Sequence, residues 1–150
     1  MSKQLISFGK EKTYWFKEVN IDEKCGYPIL ADGQIIGGLL LEVGKHKNYS
    51  CIWVLGIEIE KKYRKQGIAT HIIDRLKKQT NAILGAIVNP NEISFWKNLG
   101  AVFFENPIPI PPEPNELEIP LVFYITMNKK ITNILEKAFS SKLKKIIIKV

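Results

Sequence analysis

The sequence predicts an α+β fold: a mixed, mostly antiparallel sheet flanked by helices, ending in an amphipathic helix. Three observations predict it. Short β-prone runs separated by turn residues occupy residues 27–60, as in an antiparallel meander. The apolar period then changes to that of a helix after Gly67, and again from residue 130. The chain has 150 residues, 45% hydrophobic and 25% charged, which is ordinary for one globular domain with a core of its own.

In chain order, Leu5–Phe8 and Thr13–Phe16 each fit a short strand or a helical turn. Tyr27–Ala31 is short and apolar, and Asp32-Gly33 supplies a hairpin turn. Gln34–Val43 follows as a strand whose Gly37 and Gly38 mark a bulge or a close backbone approach. A polar turn over Gly44–Ser50 leads to Cys51–Glu60, a strand expected to place Leu55, Ile57 and Ile59 on its apolar face and Glu58 and Glu60 on the other. Gly67–Gln79 sets Ile68, Ile72, Ile73 and Leu76 on one helical face. Asn81–Val88 is a strand stopped by Asn89-Pro90-Asn91; Glu92–Leu99 is a short helix closed by Gly100; Ala101–Glu105 is a strand. Residues 106–120 hold six of the eight prolines and form an extended loop before a last strand, Leu121–Met127. Residues 130–147 repeat apolar side chains at helical spacing, with lysines opposite. This divides the chain into a body, 1–128, and a basic amphipathic tail, 129–150.

Charge and cysteine usage exclude several classes. The net charge is +7, but residues 1–128 carry 15 Lys/Arg against 14 Asp/Glu, whereas 129–150 carry seven Lys and one Glu. A body-wide nucleic-acid footprint is therefore absent, and a basic tail remains as a contact for something acidic. Cys25 and Cys51 are too few for a disulfide framework or a structural zinc site. No apolar run approaches the roughly 20 residues that cross a bilayer, and the opening MSKQLISFGKEK does not read as a signal peptide, so a cytoplasmic protein is expected.

The segment IEIEKKYRKQGIATHIIDRLKK carries the chemistry. A strand runs through a tight turn into an amphipathic helix, whose first turn has unpaired N–H groups and a positive dipole end suited to a phosphate. Gly67 permits close approach, Ala69 keeps the next turn small, and Arg64 and Lys65 add positive charge. The spacings of a P-loop and of GxGxxG are absent, and a plain strand–turn–helix junction has the same ingredients.

Arg64-Lys65-Gln66-Gly67-Ile68-Ala69 resembles the R/Q-x-x-G-x-G/A pattern of the GNAT superfamily of acyl-CoA-dependent N-acetyltransferases. NPNEISFWKNLGA, from Asn89 to Ala101, is similar to that family's second stretch, and the order of elements agrees from about Gln34 to Asn128. The first 30 residues match poorly: the family's usual opening strand and paired helices are not visible in them.

The resemblance implies acetyl-CoA as co-substrate, its pyrophosphate held by the main chain of Lys65, Gln66, Gly67, Ile68, Ala69 and Thr70, with Arg64 at the start of the loop. It implies pantetheine paired with main-chain groups of Ile57 and Ile59 and bonded by Asn89, which otherwise reads as a turn residue before Pro90. Acetyl transfer to a primary amine by direct attack in a ternary complex needs a base for the ammonium, a donor for the carbonyl oxygen and an acid for the thiolate. Glu58 is the candidate base and Glu60 a weaker one; a solvated strand glutamate is the plain alternative. Where the family commonly has a tyrosine acid this chain has Trp96, whose indole cannot serve; Trp96 then walls the cofactor pocket or packs the core. Tyr124 or water is left to protonate the thiolate. The acceptor is expected to be a small-molecule or peptide amine, and four glutamates in or next to the proline loop would attract a cation. No metal is expected. The tail is expected to cover the body or a second subunit in a homodimer, with nucleic-acid or membrane contact as the alternative. The rival function is a GNAT-fold acyl-CoA-binding or regulatory module with weak turnover.

Overall fold

Asp32 and Gly33, both at positive φ (49° and 83°), turn the chain tightly between β3 (Cys25–Ala31) and β4 (Gln34–His46). Positive φ at both central residues gives the hairpin the twist its strands require. The computed structural model describes residues 5–17, 25–46, 48–107 and 112–148. It is an α+β fold with a mostly antiparallel sheet and flanking helices. The chain divides into two compact units, Met1–Glu42 with Val54–Arg75 and Val43–Trp53 with Leu76–Val150. Among the described residues no helix is long and apolar enough to cross a membrane.

In the first unit both opening segments are strands, β1 (Ile6–Phe8) and β2 (Tyr14–Trp15), and both pair antiparallel with β3. Among the described residues no α-helix precedes α1 (Ile68–Gln79). β3 pairs with β4, the register shifting between Ile29 and Leu30, so the glycine pair follows a bulge. Each glycine also admits a neighbour. A Cβ at Gly37 would strike the Glu58 carbonyl, and one at Gly38 would strike the Tyr14 ring. The bulge and the close approach expected from these glycines therefore both occur. Gly38→Ala is expected to cost about 1–3 kcal/mol through overpacking; an unchanged urea midpoint would contradict this seating of Tyr14.

β5 (Tyr49–Ile59) departs from the expected facing. Within this unit Val54 and Glu58 are buried, whereas Leu55 is 40% exposed and Ile57 half-buried. Ile59 is buried as expected, at 9% exposure, so the departure is confined to Leu55–Glu58, where Tyr14 and the Lys17 main chain meet the Glu58 carboxylate. A 3-10 turn, Lys61–Tyr63, leads to α1, whose Ile68, Ile72 and Ile73 are buried as the period predicts. Arg75 ties α1 to β1, donating to the Ile6 carbonyl at 2.7 Å with its guanidinium over the Phe8 ring.

In the second unit β6 (Ala82–Ile87), β8 (Leu121–Ile125), β7 (Val102–Glu105) and β9 (Lys144–Ile146) lie side by side, each pair antiparallel. α2 (Ile93–Asn98) ends at Gly100, whose φ of 96° and N–H to the Lys97 carbonyl make the expected C-terminal cap. The proline loop is anchored where Leu117 N–H donates to the Val88 carbonyl at 2.7 Å. The tail differs from the single helix expected over 130–147. α3 (Lys129–Ser140), capped by the Asn128 side chain, stops at Ser140, and the chain returns as β9 against β7. Leu135, Phe139 and Leu143 pack against Leu84, Phe104, Val122 and Tyr124, so that side of the tail is covered by its own unit, while Ile134 and Ala138 stay exposed.

Candidate functional site

The candidate residues of the first unit gather where β5 ends. Glu58 is the only buried charged side chain among the described residues, at 6% exposure. A buried carboxylate needs donors, and it has them. The Tyr14 hydroxyl donates to Oε2, and the Lys17 N–H lies 3.1 and 3.3 Å from the two oxygens. Beside it Lys17 Nζ bridges Glu60 Oε1 at 3.0 Å. Tyr14, Lys17, Glu58, Glu60, Lys61 and Arg64 line a cavity of about 220 Å³. Arg64 Nε donates to the Ile59 carbonyl at 2.7 Å, which fastens the turn to the end of the strand and occupies one of the main-chain groups assigned to pantetheine. Ile57, one residue before Glu58, is half-buried on the opposite side of the strand.

Lys65 and Gly67 both take positive φ, 63° and 75°, and such left-handed residues curl the main chain into an N–H concavity. Gly67 starts α1, its carbonyl accepting the His71 N–H at 2.9 Å, and the first helical turn of Ile68, Ala69 and Thr70 contains no acidic residue. A Cβ built on Gly67 meets nothing within 4 Å, so open space faces the loop. Arg64, Lys65, Gln66 and Gly67 are exposed. The loop therefore joins a concave N–H surface, a helix N-terminus and a net positive charge, which together fit a pyrophosphate.

Three other sequence-predicted residues lie in the second unit. Asn89 is exposed and its Oδ1 accepts the Asn91 N–H at 2.9 Å, capping the Pro90–Glu92 turn. Trp96 is 4% exposed in α2, its ring 4.5 Å from that of Phe123. Tyr124 is buried in β8 between Phe104 and Phe139, and its hydroxyl donates to Glu136 Oε2 at 2.7 Å. Burial and the adjacent Glu136 carboxylate push the Tyr124 phenol well above its ordinary value. Hydrogen bonds from Lys145, at 2.8 Å, and from Tyr124 hold Glu136 below the usual carboxylate range. The sign of the linkage follows for each. The raised phenol stabilises the fold fully below pH ~10 and loses that contribution as the phenol ionises. The depressed carboxylate contributes above pH ~4.5 and loses it on acidification. Tyr124→Phe is therefore expected to flatten the fall in the urea midpoint between pH 9 and 12; an unchanged slope would contradict the pairing.

Tyr14 and Lys17 are the site residues that the sequence did not single out. The signal present was the glycine pair, since Gly38 is the floor on which the Tyr14 ring rests.

The profile of the Acetyltransferase (GNAT) family matches residues 4–101. Solved structures with a similar fold include Arabidopsis thaliana Naa50 in complex with the bisubstrate analogue CoA-Ac-MVNAL. It is 18% identical with a TM-score of 0.51, covering 67% of this chain and 72% of that one. An acetyltransferase from Thermus thermophilus is 10% identical with a TM-score of 0.53, covering 71% and 67%. The ribosomal-protein-S18-alanine N-acetyltransferase from Escherichia coli is 16% identical with a TM-score of 0.50, covering 73% and 72%. No curated protein matches the chain at a significant level. With nearly two-thirds of its residues matched by the family profile, ending just past the Gly100 cap, the chain belongs to the GNAT acetyltransferase family.

Proposed function

We propose that this chain transfers an acetyl group from acetyl-CoA to a primary amine by direct attack in a ternary complex, with Glu58 as the base. The observation that carries the reading is a buried, hydrogen-bonded carboxylate on an open cavity, six residues before a turn that has two left-handed residues and leads into a helix N-terminus. The co-substrate supplies the acyl group as a thioester. Main-chain N–H groups from Lys65 to Thr70 would hold its pyrophosphate, with Arg64 and Lys65 adding charge. The main chain at Ile57 and Ile59 would pair with the pantetheine arm as an added strand, and Ile57 N–H would polarise the carbonyl. Glu58 accepts the ammonium proton, leaving the lone pair that attacks. As the nitrogen bonds to the carbonyl carbon, the C–S bond breaks. The thiolate, with a thiol pKa near 8.5, takes a proton relayed by water from the nitrogen, which sheds its second proton to become the amide. Water is preferred to Tyr124 because the proton of that phenol is engaged by Glu136 and its ionisation is suppressed.

The acceptor in this reading is a small-molecule or peptide amine, whose ammonium would meet Glu58 in a cavity shared with Glu60, Lys17, Lys61 and Arg64. The test is release of CoA thiol in the presence of acetyl-CoA and a panel of peptide α-amines, lysine peptides and polyamines, with the N-acetyl product read by mass spectrometry. Amine-dependent CoA release is expected. A second reading, acyl-CoA binding with weak turnover, draws on Trp96 standing where the family commonly has a tyrosine. Tight acetyl-CoA binding with no release across the panel would establish that second reading instead.

A further inference from the structure

We propose that Tyr14 is a positioning residue for Glu58, holding the carboxylate so that one oxygen faces the acceptor amine in the cavity. The proposal rests on the reading of Glu58 as the base. Tyr14 lies in β2, 44 residues away in the chain, and is 4% exposed, yet its hydroxyl reaches Glu58 Oε2. Its seat is built by several elements. The ring lies over Gly38, where no side chain could remain, and the Phe16 ring meets it edge-on at 5.3 Å. The Lys17 N–H supplies the second donor from just beyond β2. The carboxylate is therefore gripped by a segment of four residues, Tyr14–Lys17, at the wall of the cavity that Tyr14 and Lys17 also line.

Other charged groups line the same cavity. Lys17 Nζ bonds Glu60, and Arg64 Nε bonds the Ile59 carbonyl. Lys61 lines the cavity from the 3-10 turn. Tyr14 is thus the phenol set directly against the proposed base. A donor on a carboxylate favours its ionised form, and a fixed donor also fixes its rotamer. Both keep Glu58 ready to take a proton.

The experiment compares wild-type protein with Tyr14→Phe, which keeps the ring and removes the hydroxyl. With carboxyl ¹³C-labelled glutamate, and the Glu58 resonance assigned by its loss in Glu58→Gln, the titration midpoint is expected to rise by about half to one pH unit in Tyr14→Phe. With the best amine of the panel, kcat is expected to fall about tenfold and the acid limb of kcat/KM to move up in step, with KM for acetyl-CoA unchanged. A purely structural tyrosine would move neither the midpoint nor the limb. Should Tyr14→Phe fail to fold, the wild-type Tyr14 Cζ resonance decides. It is expected to titrate with the Glu58 midpoint, and a flat signal would overturn the proposal. Wild-type turnover with an unshifted midpoint and an unchanged rate in Tyr14→Phe overturns the proposal alone. A wild-type protein without turnover overturns the reading of Glu58 as base, and the proposal with it.

Discussion

Gly67→Glu is expected to abolish acetyl-CoA binding while leaving the fold in place. The backbone argument sets the structural cost. Gly67 has φ 75° and open space beyond it, so a larger residue meets no clash and suffers only the left-handed penalty, about 1–2 kcal/mol. The electrostatic argument sets the functional cost. A carboxylate about 4 Å from a phosphate at an effective dielectric near 20 opposes it by about 4 kcal/mol, roughly a thousandfold in affinity. The carboxylate would also compete for the N–H groups of the loop. Gly67→Ala carries the backbone strain without the charge and is expected to weaken binding by less than about tenfold. Equilibrium dialysis with labelled acetyl-CoA checks both variants. Equal affinity of wild type and Gly67→Glu would remove the loop from the binding site.

Glu58→Gln is expected to lower kcat by about 10²–10⁴, the usual contribution of a placed general base, with KM for acetyl-CoA unchanged. Glutamine suits the test because its side-chain oxygen still accepts from Tyr14 and from the Lys17 N–H. The deficit should be largest at low pH, where the amine arrives protonated, and should shrink as pH approaches the amine's own pKa. A pH–rate profile identical to wild type would take Glu58 out of the mechanism.

How far these residues could be read from the sequence depended on the range of the interaction. Local signals were legible. Asp32-Gly33 marks its hairpin because a two-residue turn needs positive φ, and Gly100 marks the end of α2 for the same reason. The repeat of Ile68, Ile72, Ile73 and Leu76 marks α1 because all four face the core. The loop from Arg64 to Thr70 was legible because its glycine and its basic residues precede a strong amphipathic period.

Non-local contacts were not. The facing of β5 is ambiguous from alternation, since Leu55 and Ile57 on one side are as apolar as Ile52 and Val54 on the other. What decides the matter is the Tyr14–Glu58 pair, formed across 44 residues and unmarked by any periodicity. In the tail, Lys144 and Lys145 read as the polar side of a continuing helix. In the fold they sit in an edge strand beside Phe104 and Glu105, and Lys145 reaches Glu136 of α3. Tyr124 reads from the sequence as a candidate acid and Trp96 as a pocket wall or core residue, because residue type alone does not distinguish a ring that packs from one that reacts. The structure records packing for both rings and a hydrogen bond to Glu136 for the phenol.

In the proposed reaction the strand–turn–helix of β5 and α1 holds acetyl-CoA for transfer to an amine. Calorimetric titration of the purified protein with acetyl-CoA, with free CoA as control, tests it most directly. The account predicts one-to-one binding of micromolar strength for both ligands, since the pyrophosphate they share supplies most of the contacts to the loop. Absence of binding at millimolar ligand would contradict the account.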